Sequence, residues 1–328
     1  MSRIELSPQC PTPDARHGGG APALSVVVPV YNEAGNAQPL CREIAEVLAP
    51  IGRPFEILFV NDGSNDATLD ELQALLHEFP QLRIIDLAGN FGEAAALCAG
   101  FDVARGDLVV TLDGDGQNDP HDIPALLAEL ERGAYRVVSG WRQRRQEGLL
   151  LRVLPSRIAN AMIALVTRLP VHDNGCGLKI YRRDVVRGAQ LPRGFNRFMP
   201  AIFGVRASEV GEVRVHDRRR AHGESHYGLN RTLIVLRDLL ALRFLIVNPH
   251  ATQNVAAALC LLSIAVHIAG IAVHSRLLLA PSGILAPLAG MIWWNAQRFQ
   301  AAQTEGVFRV RREYCVSQES AGHEEVEA

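Results

Sequence analysis

Two aspartates, Asp113 and Asp115, are the residues whose type and spacing point most directly to chemistry. They follow the apolar run Leu108 to Leu112 two positions apart, so their carboxylates point the same way and can reach one ion. Hard oxygen ligands suit Mg²⁺ or Mn²⁺, which complete their shells with water and substrate phosphate oxygens. With a carbonyl oxygen from Gln117, the sequence predicts a metal site that neutralises charge on a departing diphosphate. The alternatives are a polar turn and a structural calcium loop, although the string lacks the full EF-hand ligand series.

A second polar loop offers groups that fit a nucleotide. Asp62 can accept hydrogen bonds from a nucleobase nitrogen or a ribose hydroxyl, and Gly63 lets the backbone turn closely around it. The alternative is that Asp62, like Asp66, only caps the helix that follows.

The residues after the first apolar run complete this prediction. Pro29 and Tyr31 would hold a base flat, and Glu33 would brace the ribose, although a lone glutamate there is more often a helix-start charge. The predicted nucleotide-binding set is Pro29, Tyr31, Glu33, Asp62, Gly63, Asp113 and Gly114.

Four strand-helix units in succession are predicted to position these loops. Strand-like runs lie at Leu24 to Pro29, Glu56 to Val60, Arg83 to Leu87 and Leu108 to Leu112, and Arg136 to Ser139 supplies a fifth. Strands that alternate with helical patterns predict a doubly wound α/β sheet. Ligands of such sheets bind beyond the carboxyl ends of the strands, so we expect the polar loops to converge on one crevice.

Composition and motifs exclude several classes of protein. The formal charge of -2 gives no polyanion signature, so nucleic acid is not an expected partner. The sequence has neither a GxGxxG after its first strand nor a GxxxxGK[ST] loop, which argues against dinucleotide-binding oxidoreductases and P-loop ATPases. The six cysteines are scattered without a CxxC pair, which fits small core residues and a reducing compartment.

Several motifs, taken together in their order and spacing, resemble the family 2 glycosyltransferases of the GT-A fold. They extend from about Leu24 to Tyr227 and comprise VVVPVYNEAGN, VNDGSNDAT, GNFGEAAALCAG, LVVTLDGDGQNDP, SGWRQRR, DNGCGLKIYRR, RFMPA and the RxxGxSxYG string from Arg220 to Gly228. Within that family the sequence is similar to the dolichol-phosphate-mannose synthase group and its bacterial polyprenyl-phosphate relatives.

The resemblance implies a GT-A mixed sheet and an inverting transfer of a hexose-type sugar from a nucleotide-sugar, GDP-mannose or a UDP-sugar. It places Asp113, Asp115 and Gln117 on the metal and Asp62 at the base. The sequence departs from the commonest pattern at Asn61, where the family has a first acid, and at His226, where it has a lysine. A mostly neutral histidine would weaken a phosphate contact or make it pH-sensitive.

A polyprenyl phosphate is the predicted acceptor. A phosphate monoester is already ionised near neutral pH and can attack the anomeric carbon without the general base that a sugar hydroxyl requires. Guanidinium groups gather phosphates bidentately, whereas the alternative for such arginines is a solvated face or headgroup contacts. The predicted catalytic residues are Asp115, Asp173, Arg142 and Arg220, and the predicted acceptor-phosphate residues are Arg145, Arg152, Arg218 and Ser225. Asp173 is placed by the resemblance near the acceptor, either as a base or as a group that orients an arginine.

Two other functions stay open at this point. One is a glycosyltransferase with a glycan or protein hydroxyl as acceptor in cell-envelope polysaccharide synthesis, and the other is an inactive membrane scaffold. The intact aspartates argue against the scaffold. The sugar, the base, the lipid length and the association of identical subunits are left open by the sequence.

The last third of the chain predicts attachment to a membrane. Residues 231–247 predict an amphipathic helix in the membrane interface, with a buried core helix as the alternative. Val255 to Val273 is long enough to cross the hydrocarbon core, and Leu277 to Trp294 predicts a return helix or a re-entrant piece. Basic residues after Trp294 favour a return to the cytosolic side, so we expect an inner-membrane protein whose catalytic domain faces the cytosol.

The predicted organisation therefore has five parts. They are a disordered N-terminus (1–22), a catalytic domain (23–228), an interfacial helix (229–250), one or two membrane segments (251–298) and a polar cytosolic tail (299–328).

Overall fold

The computed structural model describes residues 22–142, 163–164, 167, 169–189, 191, 194–218, 249–272, 285–294, 296–298 and 308–316. The predictions for the N-terminal 21 residues, for the interfacial helix at 231–247, and for Arg145, Arg152, Arg220, Ser225 and His226 lie outside the described residues.

The elements follow the predicted alternation through the first half of the chain. They are β1 (Leu24–Val30), α1 (Ala37–Leu48), β2 (Phe55–Asn61), α2 (Thr68–Ala74), β3 (Leu82–Leu87), α3 (Glu93–Val103), β4 (Leu108–Thr111), α4 (Ile123–Arg132) and β5 (Val137–Arg142). The later elements are β6 (Lys179–Arg182), α5 (Arg183–Val186), α6 (Met199–Ile202), β7 (Val210–Val215), α7 (Pro249–Ala272) and β8 (Val310–Tyr314). Short 3₁₀ turns lie at Ala49–Ile51, Pro120–Asp122, Asn196–Phe198 and Ala207–Glu209, and residues 285–294 are helical. All five strands predicted from the sequence are present.

Within the described residues, eight strands form one mixed sheet in the order β7-β5-β6-β4-β1-β2-β3-β8. β1 to β4 are mutually parallel, so their carboxyl ends lie at the same end of the sheet. β6 runs antiparallel between β4 and β5, with Lys179 opposite Thr111. The amino end of β6 therefore reaches the same end of the sheet as the predicted site loops.

Both faces of the sheet are covered, as the apolar strands require. All seven residues of β1 are buried, and they alternate: Val26 and Val28 join the core on one face, and Val27 joins the core on the other. Helix α3 approaches the sheet closely because a Cβ at Gly100 would overlap the side chain of Val27. This close packing sets the N-terminus of α3 beside the end of β2.

Residues 310–314 depart from the predicted polar tail. They form the edge strand β8, antiparallel to β3, and Glu313 is buried. Arg83 donates from Nε and Nη2 to Glu313 at 2.9 and 2.7 Å, and its Nη1 pairs with the buried Glu56. A polar segment can enter the sheet here because its buried charge is paired.

The cysteines agree with the sequence only in part. Cys41, Cys98 and Cys176 are buried free thiols, and burial raises the pKa of Cys176 to about 11. Cys315, directly after β8, is disulfide-bonded, which the scattered cysteines did not predict.

The apolar segment forms α7. Among the described residues, Asn254–Ala272 is the one stretch of helix long and apolar enough to cross a membrane, with a mean hydropathy of 2.3 and only 17% of it buried. Its large apolar side chains are largely exposed, which is unlike the core helix of a soluble protein. These exposed side chains are Val255, Leu261, Leu262, Ile264, Ile268 and Ile271.

Candidate active site

A cavity of about 620 Å³ opens at the carboxyl ends of the parallel strands. The structure brings nine of the predicted site residues to its wall. They are Pro29, Tyr31, Glu33, Asp62, Asp113, Gly114, Asp115, Gln117 and Arg142. The loops that the sequence places after β1, β2 and β4 therefore meet at one cavity.

The loop after β4 holds its two aspartates by internal hydrogen bonds. The backbone N–H of Asp113 donates to Asn118 Oδ1 at 3.0 Å, and the N–H of Gln117 donates to Asp115 Oδ1 at 3.0 Å. The Asp113 carboxylate also packs on the backbone of Gly177, where a Cβ would overlap it. Position 177 must therefore lack a side chain if Asp113 is to keep this place.

The electrostatics of Asp113 fit a cation. Burial raises the pKa of Asp113 above its usual range, the neighbouring charges of Glu93 and Asp115 raise it further, and Arg142 and Lys179 oppose them. Crowded carboxylates of this kind are relieved when a cation shares them, and an all-oxygen donor set suits Mg²⁺ or Mn²⁺. Asp113 and Asp115 therefore fit the predicted metal.

The balance of charges around the cavity also favours a bound cation. Five carboxylates line it, against three cations. The carboxylates belong to Glu33, Asp62, Glu93, Asp113 and Asp115, and the cations to Arg142, Lys179 and Arg197. A doubly charged ion would restore the balance before an anionic ligand enters.

Asp62 is fixed by the backbone of a distant loop. Its Oδ1 accepts the N–H of Phe91 at 2.7 Å, and its Oδ2 accepts the N–H of Gly92 at 2.8 Å, so it braces the start of α3 instead of capping α2. Each carboxylate oxygen can accept a further hydrogen bond, so the lining carboxylate can still receive a ligand donor. Gly63 lies behind Asp62 with φ +70°, packed on the backbone of Gly89, and does not line the cavity.

The loops after β1 and β2 are tied together at the cavity mouth. The N–H of Asn32 donates to Ser64 Oγ at 2.9 Å. Asp66 Oδ1 accepts the N–H of Thr68, the first residue of α2, at 3.1 Å, although the N-cap position itself is Ala67. Tyr31 keeps 43% of its surface exposed beside these loops, a place where a planar base can stack on its ring.

Arg142 and Asp173 form a two-bond ion pair at the wall of the cavity. Arg142 Nε donates to Asp173 Oδ2 at 2.8 Å and Nη2 donates to Oδ1 at 3.2 Å. Burial lowers the pKa of Arg142, but the hydrogen bonds and charge of Asp173 raise it more, so the guanidinium stays charged. Asp173 is buried and does not line the cavity, so the structure places it behind Arg142.

Arg218 is not at the cavity wall. Its guanidinium donates to both carboxylate oxygens of Glu43 at 2.8 and 2.7 Å and lies 2.5 Å from Asp119. The same two acids and His121 are close enough together to hold a metal ion, but the guanidinium of Arg218 already pairs with both acids. The Arg218 N–H donates to the carbonyl oxygen of Gln117 at 2.9 Å, so this arginine joins the metal loop from outside.

Four polar side chains of the cavity wall are among the lining residues that the sequence analysis does not assign to the site. Glu93 begins α3 and accepts a hydrogen bond from Asn196 Nδ2 at 2.6 Å. Arg197, the residue after Asn196, also lines the cavity. Lys179 is the fourth. The one usable signal was composition, because Lys179 is the only lysine in a chain with 33 lysine and arginine residues.

Comparisons with known proteins show which proteins this chain is similar to. The family model described as "Glycosyl transferase family 2" matches residues 25–188. The chain is 44% identical over 224 residues to a dodecaprenyl-phosphate galacturonate synthase of Rhizobium johnstonii, which covers 67% of this chain and 66% of that protein. It is 39% identical to an undecaprenyl-phosphate 4-deoxy-4-formamido-L-arabinose transferase of Pseudomonas aeruginosa, over 66% of this chain and 64% of that protein. The chain thus spans slightly less than two thirds of the length of these two relatives.

A Shewanella sediminis relative is covered more fully. It bears the same transferase name as the Pseudomonas protein, and it is 34% identical over 69% of this chain and 68% of its own length.

Solved structures confirm the GT-A-like fold predicted from the sequence. Glucosyl-3-phosphoglycerate synthase of Mycobacterium tuberculosis, in complex with Mn²⁺ and UDP-glucose, aligns with a TM-score of 0.52 at 18% identity, over 67% of this chain and 77% of that one. Mannosyl-3-phosphoglycerate synthase of Rubrobacter xylanophilus aligns with a TM-score of 0.52 at 18% identity, over 68% and 74%.

Proposed function

Because the chain belongs to glycosyl transferase family 2, we propose that it transfers a sugar from a nucleotide-sugar to a polyprenyl phosphate. A phosphate oxygen of the lipid attacks the anomeric carbon while the bond from that carbon to the diphosphate breaks. The products are a lipid-phosphate sugar with inverted anomeric configuration and a nucleoside diphosphate, and no proton has to be removed from the acceptor.

The state of Asp173 is the observation that carries this proposal. Both of its carboxylate oxygens accept hydrogen bonds from Arg142, so Asp173 orients a cation and is poorly placed to act as a base. An ionised phosphate acceptor needs a cation to bind it and no base, whereas a hydroxyl acceptor needs a base to remove its proton. The names of the relatives point to the same acceptor class.

The donor half of the cavity is assigned to the loops after β1, β2 and β4. We assign the base to Tyr31 and Asp62, the ribose to Glu33, and the metal to Asp113 and Asp115, with Gln117 as a further oxygen donor. When bound, Mg²⁺ or Mn²⁺ would neutralise the negative charge that grows on the leaving diphosphate. Arg142 lines the remaining wall with its paired guanidinium, which suits it to the lipid phosphate.

The position of β8 limits the number of membrane crossings. This strand pairs with β3, so residue 310 must lie on the same side of a membrane as the catalytic sheet. A single crossing by α7 would leave β8 on the opposite side. We therefore favour a hairpin in which the helix at 285–294, which exposes Trp293 and Trp294, returns the chain to the cytosolic face.

A lipid-extraction assay tests the proposal. Membranes containing the protein receive Mg²⁺ or Mn²⁺, labelled GDP-mannose, UDP-glucose or UDP-galacturonate, and undecaprenyl or dolichyl phosphate. We expect labelled lipid from at least one donor, and its loss in excess chelator. Asp115→Ala should lower the rate about 1000-fold or more, on the order of 4 kcal/mol in the barrier.

The control for Asp115→Ala is an acid at the other end of the same strand. Asp107 is exposed just before β4, and Asp107→Ala should retain the rate of the unmodified protein. Ordinary activity in Asp115→Ala would refute the assignment of the metal.

A hydroxyl acceptor would need a different base. Glu93 is the lining carboxylate that could serve, because it lies in the wall near Asp113. Loss of activity in Glu93→Gln, together with transfer to a glycan and none to lipid phosphate, would favour that alternative.

A further inference from the structure

Lys179 occupies an unusual place for the only lysine of this chain. It opens β6, lies opposite Thr111 in the register with β4, and is 3% exposed although it lines the cavity. Lysine is among the residues least often fully buried, and a buried ammonium group is costly unless it has partners. Every other basic position outside the histidines is an arginine, so a compact ammonium group at this one position needs a reason.

The neighbours of Lys179 leave part of its charge for a ligand. Its Nζ donates to the carbonyl oxygens of Cys176 and, at 3.4 Å, of Asn174, both in the cavity wall. An ammonium group has three N–H donors, and the described residues supply acceptors for two of them. Among the described residues, no carboxylate lies within ion-pair distance of Nζ, although Asp113 is near enough to be affected by its charge.

The other cations of the cavity are placed differently. Arg142 is held by Asp173, and Arg197 lies in the 3₁₀ turn Asn196–Phe198, which contacts α3 on another wall. Lys179 is thus the cation built into the wall beside Asp113. A ligand anion drawn to a metal at Asp113 would come within a few ångströms of this ammonium group, and there the attraction is strong because little solvent intervenes.

We propose that Lys179 is a fixed cation for the diphosphate of the nucleotide donor, acting beside the metal. This inference rests on the proposed function, since it takes the donor to lie against Asp113 and Asp115. Negative charge on the diphosphate increases as the bond to the sugar breaks, so Lys179 binds the leaving group more strongly than the intact donor. An ammonium group needs less room beside the 174–177 segment than the fork of an arginine would.

Binding measurements with matched ligands test the proposal. The full-length protein in detergent is titrated with UDP and uridine, and with GDP and guanosine, first with Mn²⁺ and then in chelator. For the pair that binds, Lys179→Met should weaken the nucleoside diphosphate about tenfold with or without metal and leave the nucleoside unchanged. Direct Mn²⁺ binding should be unchanged or tighter, because a positive charge has been removed from beside the ion. Lys179→Arg should recover part of the diphosphate affinity.

The outcomes separate this inference from others. Equal weakening of nucleoside, nucleoside diphosphate and Mn²⁺ would mean that Lys179 only supports the 174–177 segment, and unchanged diphosphate affinity would mean that its charge does not reach the ligand. Either result overturns the proposal. A protein that binds no nucleoside diphosphate before any substitution would instead refute the proposed function.

A single lysine also permits a direct measurement. Labelling with ¹⁵Nζ-lysine gives one ammonium signal, and we expect it to shift on addition of the nucleoside diphosphate and not of the nucleoside. A signal indifferent to both, in protein that binds the diphosphate, would contradict the assignment.

Discussion

Two arginines, the buried Arg83 and the partly buried Arg142, lie at opposite ends of the sheet and have different partners. Arg83 lies near the amino ends of the parallel strands, and its Nε, Nη1 and Nη2 all donate to protein acceptors, including Glu56 and Glu313. Arg142 lies at the carboxyl ends, and its Nε and Nη2 donate hydrogen bonds to Asp173. Its Nη1 lies 3.9 Å from Asp217, which is too far for a hydrogen bond. A fully engaged guanidinium holds strands together, whereas one that lines a cavity with donors to spare can receive a ligand.

The largest expected effect is on stability at the Arg83 cluster. Arg83→Met leaves two buried carboxylates without their cation, so the free energy of unfolding should fall by about 3–5 kcal/mol. The turnover of the protein that remains folded should not change, because this cluster is remote from the cavity. Denaturant unfolding and kcat at low temperature measure the two quantities.

An exposed ion pair provides the control for Arg83. Asp184 pairs with Arg136 at 2.7 Å on the surface, and Asp184→Asn should cost less than about 1 kcal/mol. If Arg83→Met kept its stability and lost turnover, the contrast between the two arginines would be wrong.

The next effect is on activity at Arg142. Arg142→Lys keeps the charge but loses the two-bond geometry with Asp173, so kcat/KM for the lipid phosphate should fall about 100-fold. The dissociation constant of the nucleotide-sugar should change by less than about threefold, because Arg142 is assigned to the acceptor. Arg136→Lys, at the opposite end of β5, is the matched control. An equal loss of donor affinity would place Arg142 on the donor side.

The smallest expected effect is on metal affinity, and it tests the packing of Gly177 against the Asp113 carboxylate. In Gly177→Ala the new methyl group would press on the Asp113 carboxylate, and overpacking of this kind costs about 1–3 kcal/mol. We expect about a tenfold higher Mn²⁺ concentration for half-maximal activity. Gly290→Ala, where a Cβ meets nothing within 4 Å, should behave as the unmodified protein. An unchanged metal requirement in Gly177→Ala would show that the loop moves aside freely.

The parallel strands and the loops that follow them could be predicted from the sequence. Buried β-branched runs such as that of β1 carry a strong local signal, and parallel strands necessarily bring their carboxyl ends together. For this reason the sequence predicts that Asp62, Asp113 and Asp115 lie in one crevice.

The remaining strands carried no such signal. β8 has the sequence VRREY, and its membership in the sheet depends on Arg83, far away along the chain. Lys179 likewise enters the cavity through antiparallel pairing of β6 with β4, which no local pattern indicates. Gly63 is predicted to shape a nucleotide-binding loop and Arg218 to bind a phosphate with its guanidinium. In the structure, packing places Gly63 behind Asp62, and Arg218 forms salt bridges with Glu43 and Asp119.

The position of β8 has a consequence for how the protein is made. Its partner strand β3 leaves the ribosome more than 200 residues before Glu313 does, and α7 emerges in between. Until translation reaches Tyr314, the nascent domain has an unpaired border at β3, and Arg83 has only one of its two carboxylates. In the proposed membrane hairpin, insertion of α7 should therefore precede the last step of folding, and a chain that stops before residue 310 should be prone to aggregate through the unpaired edge of β3.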